Sequence, residues 1–290
     1  MRVRNAIIAV ISACGLLAAM PAAFADGSGP NGRGDPIIGN VIGSPVPDRT
    51  TLGFDATACT ATVERGLGHG HYAKPVVHHY TIPGLASLSR CPDMGVAVQR
   101  RYSAAADLAV TWFIAPPEVT NSIYVLRHFA VLSSSVGGDF PSYVGSQDFN
   151  GDRFGDIWES TDQDEQFTTM LRQGKGFVAG PASFYNISTL PALAFGRLDN
   201  TPGTDIAAGY ISPHRDQQGL PGSAGSGVLV VFGKTGGKVL LENDPTGQTR
   251  YTPTLLDANH DGHLDVQVSG GSQPPRIYYG DGQGHFALGV

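Results

Sequence analysis

The sequence has little charge and no long apolar run after its first 25 residues. Charged side chains make up 15% of the chain, and the formal net charge is −6. A mildly acidic surface repels phosphate backbones and anionic lipids, so we expect neither nucleic acid nor a membrane surface as a partner. No later stretch is apolar enough to cross a bilayer. The sequence therefore predicts a chain without a membrane span.

Motifs of several common enzyme classes are also missing. The chain contains no Gly-x-Ser-x-Gly elbow, no Walker loop and no His-Glu-x-x-His zinc motif. Four histidines do cluster, namely His69, His71, His78 and His79. A His-x-His pair can ligate transition metals. Because these histidines fall on a loop and an adjoining strand, we expect them to be partly exposed surface residues instead.

Cysteine is scarce, and its three positions are informative. Cys14 lies in the N-terminal run, which leaves Cys59 and Cys91 in the rest of the chain. Two cysteines in an exported protein are expected to pair. Such a bridge closes a loop of about thirty residues and contributes roughly 3 kcal/mol by loop entropy. The alternative is a pair of buried thiols.

Residues 1–25 have the composition of a secretory signal peptide. Arg2 and Arg4 precede an apolar run, and Ala23-Phe24-Ala25 fits the small-x-small cleavage rule. We therefore predict a secreted, extracellular protein. A lipid anchor at Cys14 is a minor alternative, since the residues before it resemble a lipoprotein cleavage box.

Helical periodicity is nearly absent from the remaining chain. Short runs of Val, Ile, Tyr and Phe alternate with clusters of turn residues, and the chain holds 39 glycines and 20 prolines. This pattern predicts an all-β fold. Residues 26–35, which include Arg33-Gly34-Asp35, are expected to be a flexible arm. The role of that tripeptide stays open because tripeptides recur by chance.

Two nine-residue stretches place side-chain oxygens at positions 1, 3, 5 and 9, with a backbone carbonyl at position 7. Calcium takes six to eight oxygen ligands from loops of this kind. We predict two structural Ca²⁺ sites. The ligands of the first are Asp148, Asn150, Asp152, Phe154 and Asp156, and those of the second are Asp257, Asn259, Asp261, His263 and Asp265.

These loops differ from EF-hands. Glu159 fits position 12 of the first loop, but Arg153 replaces the usual glycine, and Val268 stands where the second loop needs its glutamate. An EF-hand also requires flanking helices. Both loops here continue into alternating, strand-like runs, so they are predicted to be strand-loop-strand sites.

The last acid of each loop recurs along the chain. Asp156 and Asp265 are the clear copies, Asp205 is a third and Asp107 a weak fourth, at spacings of 49, 49 and 60 residues. Each interval holds about four strand-like runs. Four strands in about fifty residues is the anatomy of a propeller blade. We predict a β-propeller of four or five four-stranded blades, or an incomplete ring, since the chain is too short for seven blades of this size.

Three features carry a family resemblance. They are Asp-Phe-Asn-Gly-Asp-x-x-x-Asp-Ile at 148–157, Phe195-Gly196 ahead of a loop, and Asp281-Gly282-Gln283-Gly284-His285-Phe286. Together they resemble FG-GAP/VCBS repeats, found in integrin α-subunit propellers and in many secreted bacterial proteins. The resemblance covers residues 95–290 and fades over 36–94. That earlier stretch is expected to be a degenerate blade or an N-terminal extension, with possible strands at 58–63, 76–82 and 85–88.

The resemblance implies a calcium-stabilised scaffold whose loops bind glycans or proteins. We therefore expect a secreted, monomeric, non-catalytic binding or adhesion module with an extracellular glycan or protein ligand. The alternative is a secreted hydrolase or lyase acting on polysaccharides or phosphoesters, for which the clustered histidines are the candidates. A purely structural spacer is the third hypothesis.

The third repeat is predicted to be free of metal. Its loop keeps Asp199 and Asp205, but Arg197 and Thr201 replace two ligand positions. A guanidinium is permanently charged and suits bidentate carboxylate contact. We therefore expect Arg197 to reach Asp199 or Asp205. The weak loop before Asp107, with Gln99, Arg101 and Ser103 at the first three ligand positions, is predicted to be metal-free as well.

Overall fold

A computed structural model describes residues 31–119, 121–137, 141–161, 166–185, 192–212 and 225–289. Within these ranges the protein is all-β, as predicted, and its helical structure is limited to a 3₁₀ turn at Leu88–Arg90. The main strands form five antiparallel sheets, and each sheet contains four strands that pair in chain order. In the first sheet, a separate two-stranded ribbon lies in the chain between the third and fourth of these strands. In the described part of the chain, no helix is long and apolar enough to cross a bilayer.

The first two sheets come from residues 37–135. The strands of the first sheet are β1 (Ile37–Gly39), β2 (Asp48–Phe54), β3 (Cys59–Glu64) and β6 (Val76–Tyr80), with β4 (Gly66–Gly68) and β5 (His71–Tyr72) forming a separate ribbon. The strands of the second sheet are β7 (Met94–Val98), β8 (Asp107–Thr111), β9 (Ile123–Arg127) and β10 (Ala130–Ser135).

The other three sheets follow in the same order. The third contains β11 (Pro141–Gln147), β12 (Asp156–Thr161), β13 (Gln166–Gln173) and β14 (Gly176–Ala179), with β15 (Phe184–Tyr185) paired to β13. The fourth contains β16 (Leu193–Gly196), β17 (Asp205–Ser212), β18 (Gly225–Val231) and β19 (Lys238–Asp244). The fifth contains β20 (Tyr251–Leu256), β21 (Asp265–Gly270), β22 (Gln273–Gly280) and β23 (Phe286–Leu288).

Hydrophobic core fills the space between each sheet and the next. One cluster joins the first and second sheets, a second joins the second and third, a third joins the third and fourth, and a fourth joins the fourth and fifth. Trp158 exemplifies this arrangement, because it stacks on Phe167 of its own sheet and on Phe195 of the next. Burial of such a side chain stabilises the fold by roughly 1.5–3 kcal/mol.

The stacking explains the apolar runs in the sequence. In the middle sheets, β8, β12 and β18 are buried along their whole length, because both of their faces meet a neighbouring sheet. In the first and last sheets, β2 and β20 alternate between buried and exposed residues. Thr51 of β2 and Thr254 of β20 are exposed, so each terminal sheet presents an outer face to solvent.

The sequence-based strand assignment fails in one place. The 85–88 stretch is not a strand, because it runs into the 3₁₀ turn and its leucines Leu85 and Leu88 pack against the first core cluster. The first sheet obtains its missing strand from β2, which was not predicted. Its sequence alternates Thr, Leu and Gly without a long apolar run, since only one of its faces is covered.

The predicted disulfide between Cys59 and Cys91 is present. Cys59 begins β3, and Cys91 follows the 3₁₀ turn just before β7, with the two Cα atoms 5.5 Å apart. Both cysteines are buried in the first core cluster. The bridge therefore ties the first sheet to the chain segment that leads into the second. Cys14 lies outside the described residues.

Loss of this bridge is expected to destabilise the protein. The cysteines are separated by 32 residues, and loop entropy predicts a loss of about 3–4 kcal/mol on opening a loop of this size. Urea unfolding of the wild type should therefore shift to a lower midpoint in a phosphine reductant. The Cys59→Ser/Cys91→Ser variant should match the reduced wild type and show no further response to reductant. An unchanged midpoint would contradict the prediction.

Candidate functional site

Three sheets begin their second strand with a buried aspartate, namely Asp156, Asp205 and Asp265. We call these residues strand-start aspartates. In each, Oδ2 accepts the backbone N–H of the residue seven positions earlier, at 2.7–2.8 Å. Oδ1 accepts an N–H at the end of the third strand, at 2.7–2.9 Å. One carboxylate thus joins the entry loop to the third strand and satisfies two N–H groups that folding removes from water.

The first sheet has the same device, which the sequence interpretation missed. Asp48 begins β2 and is fully buried. Its Oδ2 accepts the N–H of Ile42 at 3.1 Å, and its Oδ1 accepts the N–H of Gly66, just after β3, at 3.2 Å. The signal was available, because Asp48 lies 59 residues before Asp107 and opens a strand as the other repeats do.

In the second sheet, arginines replace this arrangement. Arg127 donates from Nε and Nη2 to the two carboxylate oxygens of Asp107, each at 2.9 Å, and Arg172 of the third sheet donates a further hydrogen bond. The Nε of Arg100 lies 3.7 Å away. Burial alone would raise the pKa of Asp107, but the hydrogen bonds from Arg127 and Arg172 outweigh it and lower that pKa. Asp107 is therefore held as a carboxylate.

The two predicted calcium loops have the same internal hydrogen bonds. In the first loop, the carboxylate of Asp148 accepts the backbone N–H groups of Gly151, Asp152 and Arg153. The Oδ1 of Asn150 accepts the N–H of Asp152 at 2.9 Å. The loop backbone is thereby wrapped around its own acidic side chains.

The second loop repeats this pattern at the matching positions. Asp257 accepts the N–H groups of Asp261 and Gly262, and Asn259 Oδ1 accepts that of Asp261. The amide Nδ2 of Asn259 donates to Asp261 at 2.8 Å, as Asn150 does to Asp152 at 3.1 Å. The N–H of His263 donates to Asp261, and the N–H of its counterpart Phe154 donates to Asp152. These hydrogen bonds do not use the carbonyls of His263 and Phe154.

Both loops turn through the left-handed region at positions 4 and 6. In the first loop these are Gly151 (φ 76°) and Arg153 (φ 70°), and in the second they are His260 (φ 61°) and Gly262 (φ 89°). Glycine adopts this conformation without a steric penalty. The first loop therefore has its glycine at position 4, and the second has its glycine at position 6. Because these positions differ, the two loop sequences share no glycine position.

The first loop concentrates negative charge in a partly buried place. Burial, together with the charges of Asp152 and Asp148, raises the pKa of Asp156 to about 7, although hydrogen bonds from the N–H groups of Arg172 and Phe149 oppose this rise. Burial also raises the pKa of Asp148, with a contribution from Asp152. Among the described residues, however, no three His, Cys, Asp or Glu side chains form a ready metal-binding group. The predicted ligands lie in one loop, and the carboxylates of Asp148 and Asp152 accept hydrogen bonds from the N–H groups of that loop.

The loop at 197–205 is closed by an arginine. Arg197 donates from Nη2 to the carbonyl of Asn200 at 2.9 Å and from Nε to the carbonyl of Asp199 at 3.3 Å. The expected acceptor was a carboxylate of Asp199 or Asp205, and that expectation was wrong. Those carboxylates instead accept backbone N–H groups, from Thr201 and Leu198 respectively. The guanidinium therefore reaches the carbonyls at the turn.

The structure does not gather the four histidines into one site. His78 and His79 are adjacent on β6, so their side chains point to opposite faces of the first sheet. His78 stacks on Phe129 with ring centroids 3.9 Å apart, whereas His79 Nε2 lies 2.6 Å from Asp55. His69 occupies a turn with φ 53°. These positions agree with the expected surface role.

Arg33-Gly34-Asp35 is held against the sheets rather than extended. Arg33 Nε lies 2.6 Å from Asp93, and the N–H of Gly34 donates to the carbonyl of Asp93. Asp35 accepts the N–H of Gly32 at 2.8 Å. Asn31, just before this turn, bridges Val144 of the third sheet. The turn thus spans the second and third sheets.

Three surface clefts lie at the end of the sheets opposite the acid loops. The largest, about 350 Å³, is lined by the 32–35 turn with Phe113 and Tyr143. The two others, of about 230 and 190 Å³, lie at the start of β20 and share Tyr251. Aromatic and arginine side chains, together with polar groups, line these three clefts.

Comparison of the chain with protein-family models gives no match, and comparison with curated proteins gives none either. What the site can do must therefore follow from its own residues.

The strand-start aspartates give a stability prediction that depends on pH. Asp205→Asn should destabilise the fold by about 1–3 kcal/mol, because an amide nitrogen replaces one of the two acceptor oxygens. Burial raises the pKa of Asp205 to about 6. An acid with a raised folded-state pKa contributes stability that is complete below its unfolded pKa, about 3.9, and is lost as pH rises through the folded value.

The wild-type advantage over Asp205→Asn should therefore shrink between about pH 4 and about pH 7. Urea unfolding across this range measures it. Asp281→Asn, at an exposed carboxylate, is the control and should have a small effect on stability. A wild-type advantage that grows with pH would contradict the prediction.

Proposed function

We propose that the five sheets are blades of one secreted, calcium-stabilised β-propeller with an incomplete ring, which acts as a non-catalytic binding module for extracellular glycan or protein ligands. The family resemblance to FG-GAP/VCBS repeats belongs to the same proposal. Two features support the architecture: each sheet packs on the next through a shared core, and β7 lies against both β1 and β11, as innermost strands do around an axis. Secretion fits the disulfide.

The observation that carries the binding proposal is the position of three clefts at the end of the sheets away from the acid loops. Acid loops with self-satisfied hydrogen bonds occupy one end, where they brace the strands. Clefts lined by tyrosine and arginine occupy the other. Tyrosine and arginine dominate the energetics of many recognition surfaces. Because the acid loops stabilise the stacked sheets at one end, the other end is available to contact a ligand. The hydrolase alternative has no comparable support, since its four histidines lie apart.

Electrostatics support calcium in the first acid loop, and the second loop is assigned by its matching ligand positions and hydrogen bonds. In the first, burial and mutual repulsion raise the pKa of Asp148 and Asp156, and a divalent cation would remove this repulsion. Each carboxylate oxygen that accepts one N–H keeps a second lone pair for a metal. The proposed ligands of the two ions are those predicted from the sequence, at 148–156 and 257–265. The ions would stabilise the fold and take no part in chemistry.

The mature protein should bind two Ca²⁺ ions per chain. Metal analysis after dialysis measures the number, and Asp148→Ala and Asp257→Ala should each remove one ion. Asp199→Ala is the matched control in the loop closed by Arg197 and should remove none. Saturating Ca²⁺ at a hundredfold excess over Kd should add about 2.7 kcal/mol per site, so chelation should lower the melting temperature. An unchanged melt or a count of three would contradict the proposal.

Ligand binding should be detected on a glycan array and in pull-downs from extracellular matrix and cell-wall fractions. The bait is the mature chain in Ca²⁺, and the control bait is the same chain unfolded by reduction and chelation. Specific capture by the folded bait alone is the expected result. Turnover on a polysaccharide or phosphoester panel, lost on His78→Ala/His79→Ala, would instead assign the hydrolase function. Clean negatives in both binding assays would overturn the binding module.

A further inference from the structure

Three arginines surround the buried carboxylate of Asp107, at the same end of the sheets as the acid loops. Asp107 begins β8 and Arg127 ends β9, and these strands are antiparallel neighbours, so both residues lie at one end of the second sheet. Arg100 belongs to the loop before β8, and Arg172 lies near the end of β13 in the third sheet. We call Arg100, Arg127 and Arg172 the arginine cluster.

The arginine cluster carries more positive charge than its one carboxylate balances. A guanidinium stays charged at every pH at which proteins fold. Three positive charges against the one negative charge of Asp107 leave a formal excess of two. Within the described part of the chain, these arginines form ion pairs with Asp107 and with no other carboxylate. The excess charge is therefore available to an anion from outside the protein.

The adjoining acid loop does not take up this excess. The N–H of Gly155 donates to the carbonyl of Gln99 at 2.9 Å, so the loop at 148–156 lies next to the segment that carries Arg100. The carboxylates of Asp148 and Asp152, however, accept hydrogen bonds from groups of their own loop. The two neighbouring regions thus have opposite charge and separate hydrogen-bond networks.

Many N–H groups of the arginine cluster have no acceptor among the described residues. Arg127 uses Nε and Nη2 on Asp107 and keeps Nη1 unused. Arg100 donates from Nε to the carbonyl of Ala105 at 2.7 Å and keeps both Nη groups unused. Arg172 donates from Nη2 to Asp107, while its buried Nε and Nη1 have no hydrogen-bond partner. Buried donors without an acceptor destabilise the folded state, so an oxygen ligand here would stabilise it.

Arg172 is the clearest sign that an oxygen ligand is missing. Its side chain is only 2% exposed. The rings of Phe154 and Phe177 each lie 5.9 Å from its Cζ and stabilise its charge by cation–π contact. They supply no oxygen acceptor, and Asp107 satisfies one of its three nitrogen atoms.

The arginine cluster is accessible to solvent through Arg127 and Arg100, whose side chains are 37% and 17% exposed. The Nε atoms of both lie near the same oxygen, Oδ1 of Asp107, at 2.9 and 3.7 Å. Two like charges held this close repel each other, and an anion between them would reduce the repulsion. A tetrahedral oxyanion suits this place, because it presents oxygens in several directions and arginine binds such groups through paired N–H donors.

We propose that the arginine cluster binds one tetrahedral oxyanion, sulfate or phosphate, either as the free ion or as an ester on a larger ligand. Arg100 and Arg127 donate to the oxyanion from their unused N–H groups, and Arg172 adds its buried charge behind them. This site goes beyond the proposed binding module, because it lies at the end of the sheets opposite the three clefts.

Equilibrium dialysis of the mature chain with radiolabelled sulfate tests the proposal, at constant Ca²⁺ and with the ionic strength held fixed by chloride. One sulfate per chain should be retained and displaced by phosphate. Arg100→Ala should weaken binding by about tenfold or more. Arg100→Lys keeps the charge without the planar fork and should weaken it less. Asp107→Asn removes the competing negative charge and should tighten binding, which arginines that serve only to hold Asp107 would not produce.

The chain offers a charge-matched control. Lys234 is exposed in the turn after β18, at the same end of the fourth sheet, because Val231 at the end of β18 pairs with Ile206 at the start of β17. Lys234→Ala removes one positive charge, as Arg100→Ala does, and should leave sulfate binding unchanged. Thermal melting identifies variants that fail to fold, and Arg100→Ala with Arg100→Lys decides the result if Asp107→Asn is one of them.

The source of the oxyanion is distinguished with a chondroitin sulfate hexasaccharide and the unsulfated hexasaccharide. Tighter binding of the sulfated sugar than of inorganic sulfate, lost in Arg100→Ala, assigns an ester on a polysaccharide. Equal or weaker binding of the sulfated sugar assigns the free ion. Equal binding of both sugars would overturn the proposal, since their shared carboxylates would then be the ligand.

Two further results would overturn the oxyanion site. They are sulfate retention no greater than that of a non-specific anion at the same ionic strength, and sulfate binding that Arg100→Ala leaves unchanged. Neither result bears on the clefts, so the glycan array and the pull-downs test the binding module independently.

Discussion

The fold depends on one interaction, the hydrogen bonds that a buried aspartate accepts at the start of the second strand. Two backbone N–H groups, one from the entry loop and one from the third strand, lose water on folding and need an acceptor. A carboxylate supplies two oxygens in the right plane for both. The device occurs at Asp48, Asp156, Asp205 and Asp265. Its geometry is the same whether the loop ahead of it is acidic or closed by Arg197.

The loop motif thus contains residues with two different roles. The strand-start aspartate serves the architecture of four of the five sheets, whereas the full set of acids and amides earlier in the loop is present only at 148–156 and 257–265. Where those acids are missing, the sheets use arginine: Arg197 on loop carbonyls, and Arg127 with Arg172 on Asp107. The turn is held by the acid loop itself in the third and fifth sheets and by Arg197 in the fourth.

The sequence alone predicts much of the fold, but it predicts less of the contacts made by the loops at the strand ends. The all-β class, the disulfide and the strands of the last two sheets follow from alternation, cysteine count and turn residues. The strand β2 and its Asp48 are not predicted, because a strand covered on only one face contains few apolar residues. The acceptors of Arg197 are not predicted either. They depend on which carbonyls the folded turn brings within reach of the guanidinium.

Arg172 has a consequence for how the structure comes apart. Its backbone N–H belongs to Asp156 in its own sheet, while its guanidinium lies against Asp107 in the sheet before. Pulling β13 away therefore breaks both anchors at once and strands a charged group in the core between two sheets. Sheets that are otherwise similar are thus joined unequally. We therefore expect the second and third sheets to open together, and a partial opening of the stack to begin at the fifth sheet, because the disulfide ties the first sheet to the second.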